Sequence, residues 1–249
     1  MFNATLSNTK ILKDSIDTIS QIIDEVSLKI TPEGIEIIAA DRAMVTVVDF
    51  KLGKKIFDEY ECSEEHSIGI NLVSFMNLLK RCGSDKLNLK LNDEKSQFMI
   101  SFSGDSVRAF TLPVLDISSE DVPDINKFDF PTKAQIRSDI IVKGVEDADV
   151  IAESVGMELG TSGFRMFAEG TSSKSELKLD GSAVGIMNIQ ATELVKSKYP
   201  IDYMKKVMKA SKMVDTVWVS IGNDYPLKLE FTGDGVSLSF IVAPRVSED

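Results

Sequence analysis

Residues 115–131 read LDISSEDVPDINKFDFP, and what this stretch separates decides the fold. It is acidic, holds Pro123 and Pro131, and shows neither helical nor strand periodicity, so it is expected to be an extended connector spanning 115–131. The blocks on either side, 1–114 and 132–249, are each the size of an ordinary domain. They also carry their signals in the same order. A solvated linker is the plain reading of the connector's composition, although its apolar members Val122, Ile125 and Phe128 give it something to pack with.

The first block opens on Phe2, Ala4 and Leu6 alternating with polar residues, a short strand. Asn8 or Thr9 can cap a helix in which Leu12, Ile16, Ile19 and Ile23 recur at helical spacing. The period then changes to strands: VSLKI, a turn at Thr31-Pro32-Glu33-Gly34, IEIIAA and VTVVDFKL, with SIGI beyond. A second helix is expected over Asn71–Cys82, followed by the antiparallel meander LNLKL, QFMISFS and VRAFTL. After the connector the succession returns as strand KAQIR, a helix over Ile140–Val155, strands GMEL, FRMFAE, SELKL and IMNIQA, a helix over Ile201–Lys212, and strands TVWVSI, LKLEFT and VSLSFIV. The fold class is therefore α+β, a duplicated unit in which two helices cover one face of antiparallel sheets.

Composition restricts the function. The 249-residue chain has 28 Lys+Arg against 39 Asp+Glu, a formal net charge of −11, so averaged over its surface it repels nucleic acid and anionic membrane. Any contact with a polyanion must be local. No run approaches the ~20 apolar residues of a membrane helix, and the start MFNATLSNTK lacks a signal-peptide pattern, so an intracellular location is expected. Cys62 and Cys82 are too few for a thiolate cluster or a disulfide framework. The single histidine, His66, beside Glu64 and Glu65, is expected to be exposed, with no oriented partner or nucleophile to make it a general base. GTSGF and TGDGV lack the Lys-Ser/Thr of a phosphate loop and are strand turns. No catalytic set, metal site or cofactor motif emerges.

The anomaly in this acidic chain is 196–212. Lys196, Lys198, Lys205, Lys206, Lys209 and Lys212 are opposed within the segment only by Asp202. On a helix, Lys205, Lys209 and Lys212 fall on one stripe with Lys206 beside it, while Tyr203, Met204, Val207 and Met208 turn inward. Like charges at this spacing cost a few tenths of a kcal/mol per pair, so an anionic partner explains the stripe better than stability does. Lys10 and Lys13 on the first helix and Lys80 and Arg81 at the end of the second add smaller basic spots. The third helix is different, with Asp139, Lys143, Glu146, Asp147, Asp149 and Glu153, and is expected to face cationic groups of another subunit.

Four stretches, MFNATLSNTKILKDSIDTI, GINLVSFMNLLKRCG, LDISSEDVP and IVAPRVSED, with Asn-Asp-Tyr-Pro-Leu upstream of the last, resemble the sliding clamp family of archaea and eukaryotes, proliferating cell nuclear antigen. The likeness runs over the whole chain and looks archaeal. It implies a non-enzymatic homotrimeric ring around double-stranded DNA, held without sequence preference, with antiparallel sheets outside, helices lining the inner face and a location in the cytoplasm or nucleoid of an archaeon. The DNA-facing residues it implies are Lys10, Lys13, Lys80, Arg81, Lys143, Lys205, Lys206, Lys209 and Lys212; where eukaryotic clamps have further basic residues on the third helix, this chain has Glu146 and Val150.

Subunits of such a ring meet edge to edge. The implied edges are Val107–Leu112, including Arg108, Ala109 and Phe110, and Ser175–Leu179, including Glu176, Leu177 and Lys178. Arg81 and Arg108 would meet Asp139 and Asp147 of a neighbour. The resemblance also implies that a DNA polymerase, a clamp loader, a nuclease and a ligase insert short Gln-x-x-hydrophobic-x-x-aromatic-aromatic peptides beneath the connector. The matching pocket positions are Ala40, Met44, Val45, Val47, Val122, Pro226, Ile241, Ala243 and Pro244. Alternatives are one subunit of a heterotrimeric clamp, a monomeric peptide-binding module, and an oligomeric α+β enzyme with its site at the repeat interface.

Overall fold

The computed structural model describes residues 1–92, 97–117, 122–123 and 125–245. The expected turn at 93–96, connector residues 118–121 and 124, and the tail 246–249 lie outside them. The chain forms two compact units: Met1–Ala40, Val48–Val122 and Gly233–Leu238 make the first, and Asp41–Val47, Pro123–Thr232 and Ser239–Asp249 the second.

The first half of the chain contains β1 (Phe2–Leu6), α1 (Lys10–Ile19), β2 (Glu25–Thr31), β3 (Gly34–Ala40), β4 (Thr46–Gly53), β5 (Glu59–Cys62), β6 (His66–Asn71), α2 (Leu72–Lys80), β7 (Lys86–Leu91), β8 (Gln97–Ser103) and β9 (Val107–Pro113). The second half contains β10 (Thr132–Arg137), α3 (Ser138–Asp149), β11 (Ser154–Gly160), β12 (Gly163–Glu169), β13 (Lys174–Asp180), β14 (Ile186–Ala191), β15 (Val195–Pro200), α4 (Ile201–Val207), β16 (Thr216–Ile221), β17 (Leu227–Gly233) and β18 (Val236–Val242). Strands n and n+9 correspond throughout. Thus β5-β1-β7-β8-β9 repeats as β14-β10-β16-β17-β18, and β4-β3-β2-β6 repeats as β13-β12-β11-β15.

Each unit buries its alternating strand positions under a helix pair. In the first, Leu12, Ile16 and Ile19 of α1 and Leu72, Phe75, Met76 and Leu79 of α2 are buried, and Phe75 meets Phe98 of β8 edge-on with ring centres 5.7 Å apart. In the second, Ile141, Val145 and Ala148 of α3 and Ile201, Met204 and Val207 of α4 do the same. Burying a side chain of this size contributes about 1.5–3 kcal/mol, so these stripes rather than helix propensity hold the helices in place. Asn71, the expected first residue of the second helix, is instead its cap, accepting the N–H of Ser74 at 2.8 Å.

Several expectations are corrected. The third helix begins at Ser138, whose N–H is bonded to the Asp215 carbonyl, and ends at Asp149; Val155 belongs to β11, opposite Tyr199. The fourth helix is α only to Val207 and tightens into a 3₁₀ turn over Met208–Lys212, a common ending for a helix. Lys196 and Lys198 lie on a strand absent from the sequence reading, β15, whose buried positions are Val195, Ser197 and Tyr199. His66 is not exposed: at 4% exposure it sits opposite Ile30 in the β2–β6 ladder, on the inward side of the strand. Ile23 is buried just beyond the end of α1.

Candidate functional site

The basic side chains fall on the solvent side of the helices, opposite the buried stripes. On α4 and its 3₁₀ extension, Lys205 and Lys212 are exposed and Lys206 and Lys209 half-buried. Lys205 and Lys196 have acidic partners on neighbouring elements. Lys205 donates to Asp149 at the end of α3 at 2.6 Å, and Lys196 lies 3.4 Å from Glu158 of β11. Asp149, with the hydrogen bond as the larger effect, holds the Lys205 ammonium above its ordinary pKa. Asp139 at the other end of α3 is paired with Arg137 at 2.8 Å and Lys143 at 3.5 Å, so these two carboxylates of the helix already meet cations of their own chain. Arg137, through its hydrogen bond, is the main reason that the Asp139 carboxyl lies below the usual range. In the first unit, Lys10 pairs with Asp14 at 2.7 Å, Lys13 donates to the Gly83 carbonyl at 3.2 Å, Lys80 lies 3.9 Å from Asp17, and Arg81 is exposed.

The positions expected to form a peptide pocket divide between the units. Ala40 and Val122 belong to the first, Ala40 buried and Val122 half-buried. In the second, Met44 is 51% exposed, Val47 and Ile241 are buried within strands, and Val45, Pro226, Ala243 and Pro244 are half-buried. The loop 41–47 is joined to the end of β18 by the Ala243 N–H, which donates to the Val45 carbonyl at 2.8 Å.

Both described ends of the connector are anchored. At its start the Leu115 N–H donates to the Gly69 carbonyl at 2.8 Å, and a Cβ at Gly69 would stand 2.3 Å from the Leu115 oxygen, so only glycine admits the chain there. At its end Phe128 and Phe130 pack edge-on against Tyr225, with centres 6.1 and 5.6 Å away, and the Tyr225 carbonyl accepts the hydroxyl of Tyr199 at 2.9 Å. A short 3₁₀ turn, Ile125–Lys127, interrupts what the sequence suggests is a wholly extended segment.

The two segments expected at a subunit contact are sheet edges: β9 ends the five-stranded sheet of the first unit and β13 ends the four-stranded sheet of the second. Both alternate between fully and partly exposed positions along their whole length. Phe110 packs on Phe102 at 5.4 Å, and Arg108 lies over the same Phe102 ring while binding Asp85 at 2.6 Å. On β13, Glu176 is held by Arg165 at 2.5 Å and Lys178 at 2.9 Å. Ser175 and Leu177 are half-buried, Ala109 is exposed, and Asp147 is exposed on α3. Arg108 and Asp139 thus have partners within the chain.

The family models for the N- and C-terminal domains of proliferating cell nuclear antigen match residues 1–122 and 124–246. The chain belongs to the proliferating cell nuclear antigen family. It is 34% identical over 249 residues to the DNA polymerase sliding clamp of Thermococcus fumicolans, with 99% of each chain covered. It is equally 34% identical over 254 residues to that of Methanobrevibacter smithii, with both chains fully covered. The crystal structure of proliferating cell nuclear antigen from Thermococcus kodakaraensis superposes with a TM-score of 0.91 at 25% identity, over 98% of this chain and 100% of that one. The fold is the duplicated clamp fold, and the family is a non-enzymatic scaffold, which replaces the alternative of an enzyme. The two matches meet at 122–124, inside the connector.

Several contacts that organise these surfaces have no signal in the local sequence. Asp149 and Asp85 take up two of the basic groups, Tyr225 anchors the connector, and Asp41 and Tyr203 shape the 41–47 loop. Each contact spans at least 23 residues, from Asp85–Arg108 to the 162 between Asp41 and Tyr203, well beyond any local periodicity. Among the described residues no group of three or more His, Cys, Asp or Glu is placed to hold a metal ion, and no helix is long and apolar enough to cross a membrane.

Proposed function

We infer that this chain is a DNA sliding clamp: three copies close head to tail into a ring around duplex DNA, and the ring acts as processivity factor and docking platform for DNA polymerase and other replication and repair enzymes. The observation that carries the ring is the strand repeat together with one unlike pair among the sheet edges, β9 and β13. In the first unit the Gly53 N–H donates to the Gly235 carbonyl at 2.8 Å, and in the second the Ala243 N–H donates to the Val45 carbonyl, so β4 and β18 have partners at both ends. Their counterparts in the repeat, β13 and β9, are left as edges. A β9 of one copy finds in β13 of the next the same kind of partner that β18 finds in β4. Contacts between unlike edges form a closed ring when the rotation between copies closes, and they remove the hazard of open edges.

Inside such a ring the helices would present Lys10, Lys13, Lys80, Arg81, Lys143, Lys205, Lys206, Lys209 and Lys212 to the phosphates. These contacts are exchangeable and carry no sequence information, as sliding requires. The net charge of −11 keeps DNA from the remaining surface. Arg81 and Asp147, both exposed, are the pair most available for a contact between copies, while Arg108 and Asp139 would exchange their present partners to join it. Polymerase, clamp loader, nuclease and ligase would dock through aromatic-ended peptides against the connector, the 41–47 loop and the end of β18. Sedimentation equilibrium tests the assembly: three times the 27.4 kDa chain mass is expected, and a monomer at every concentration would remove the homotrimer.

A further inference from the structure

Asp41 is a buried carboxylate, 6% exposed, surrounded by donors. Its Oδ1 accepts the N–H groups of Val45 at 2.8 Å and Thr46 at 2.6 Å, and its Oδ2 accepts that of Ala43 at 3.1 Å. The backbone closes the same turn, with the Asp41 N–H donating to the Thr46 carbonyl and the Met44 N–H to the Asp41 carbonyl, each at 2.9 Å. Met44 is thereby held at φ 55°, a left-handed conformation that a residue with a side chain adopts only where its surroundings impose it. The remaining donor comes from another element: the Tyr203 hydroxyl of α4 donates to Asp41 Oδ2 at 2.8 Å.

The geometry points to Tyr203 as a positioning residue for partner binding, its hydroxyl acting through Asp41 to hold Met44 and Val45 in the shape that receives an aromatic-ended peptide. This rests on the reading of the 41–47 loop as part of the peptide pocket. On one side the loop is fixed by the Val45–Ala243 hydrogen bond; on the other it depends on Asp41. Hydrogen bonds to an ionised acceptor are stronger than neutral ones, so the tyrosine tie is a substantial part of that second support. Burial, reinforced by the hydrogen bond to Asp41 and its charge, pushes the Tyr203 hydroxyl up to about 12, and it remains a donor at neutral pH. Lys206 lies 5.4 Å from the centre of the same ring. One side chain therefore joins the basic helix to the loop.

The test uses the full-length protein and a fluorescein-labelled peptide of the form Gln-x-x-Leu-x-x-Phe-Phe. Tyr203→Phe is expected to bind about tenfold more weakly, ~1.4 kcal/mol, on the scale of one hydrogen bond to a charged group. Amide exchange at Val45 and Thr46 should accelerate while the association state stays as in the wild type. Asp41→Asn should also weaken binding, and the double variant should be no weaker than the poorer single one, because Tyr203 acts through Asp41. Binding by Tyr203→Phe within about twofold of wild type, or additive losses in the double variant, would overturn the assignment. A wild-type protein that does not bind the peptide would remove the pocket reading itself, and this assignment with it.

Discussion

Lys205 Nζ stands 2.6 Å from Asp149 Oδ2, joining the lysine-bearing helix α4 to the acidic helix α3. An ammonium engaged in this way has its charge partly neutralised before any phosphate arrives. Asp149→Asn should therefore strengthen DNA binding and steepen its salt dependence by up to about one phosphate contact. Fluorescence anisotropy with duplex DNA across a salt series measures both effects. The converse substitution, Lys205→Ala, should cost less than Lys206→Ala.

The strand order was the most legible part of the fold. Segments such as LNLKL and QFMISFS alternate so cleanly that each reads as a half-buried strand, and the second block repeats the pattern. The strand β15 carries no such signal, because Ser197 breaks its apolar alternation and Lys196 and Lys198 make the segment read as a charge run. The lysine stripe was legible as composition, but its acidic partners were not, since Asp149 and Lys205 are brought together only by the packing of α3 against α4. The Asp41–Tyr203 contact is further still from local pattern. Either residue alone reads as an ordinary turn or helix residue.

Arg81 and Arg108 carry the next expectation. Reversing both to Glu should raise the concentration at which the trimer dissociates, by an amount limited to ~0–1 kcal/mol for each screened pair. Arg108→Glu would in addition place a carboxylate against Asp85, which now accepts from Arg108 at 2.6 Å. Light scattering across a dilution series reads the change. A trimer as stable as wild type at low concentration would exclude these residues from the contact.

Val122 is a half-buried residue of the connector. Val122→Asp should abolish binding of the aromatic-ended peptide, because a carboxylate cannot be buried unpaired against an apolar plug. The trimer should persist, since β9 and β13 are elsewhere in the sheets. Peptide titration and sedimentation on the same sample distinguish these effects.

Tyr203 also sets a pH dependence. Its folded pKa is raised from 10.0 to about 12, first by burial and then by Asp41. A raised folded pKa means that the native state holds the proton more tightly than the unfolded chain, so the contribution is whole below pH 10 and is lost as pH rises through about 12. Tyr60 and Tyr199 are raised by burial as well, so the informative quantity is a difference. Urea midpoints of wild type should fall more steeply than those of Tyr203→Phe over that interval, and parallel curves would show that the tie does not contribute.

Retention on DNA is expected to be topological, the ring staying on the duplex because it surrounds it. The most direct measurement loads the trimer onto a nicked circular duplex, raises the salt until direct phosphate contacts fail, and then compares intact circles with circles cut once. Encirclement predicts that the protein remains with the circle and leaves the linear molecule by sliding off its ends. Equal release from circular and linear DNA would contradict the account and reduce the lysine stripe to a conventional binding surface.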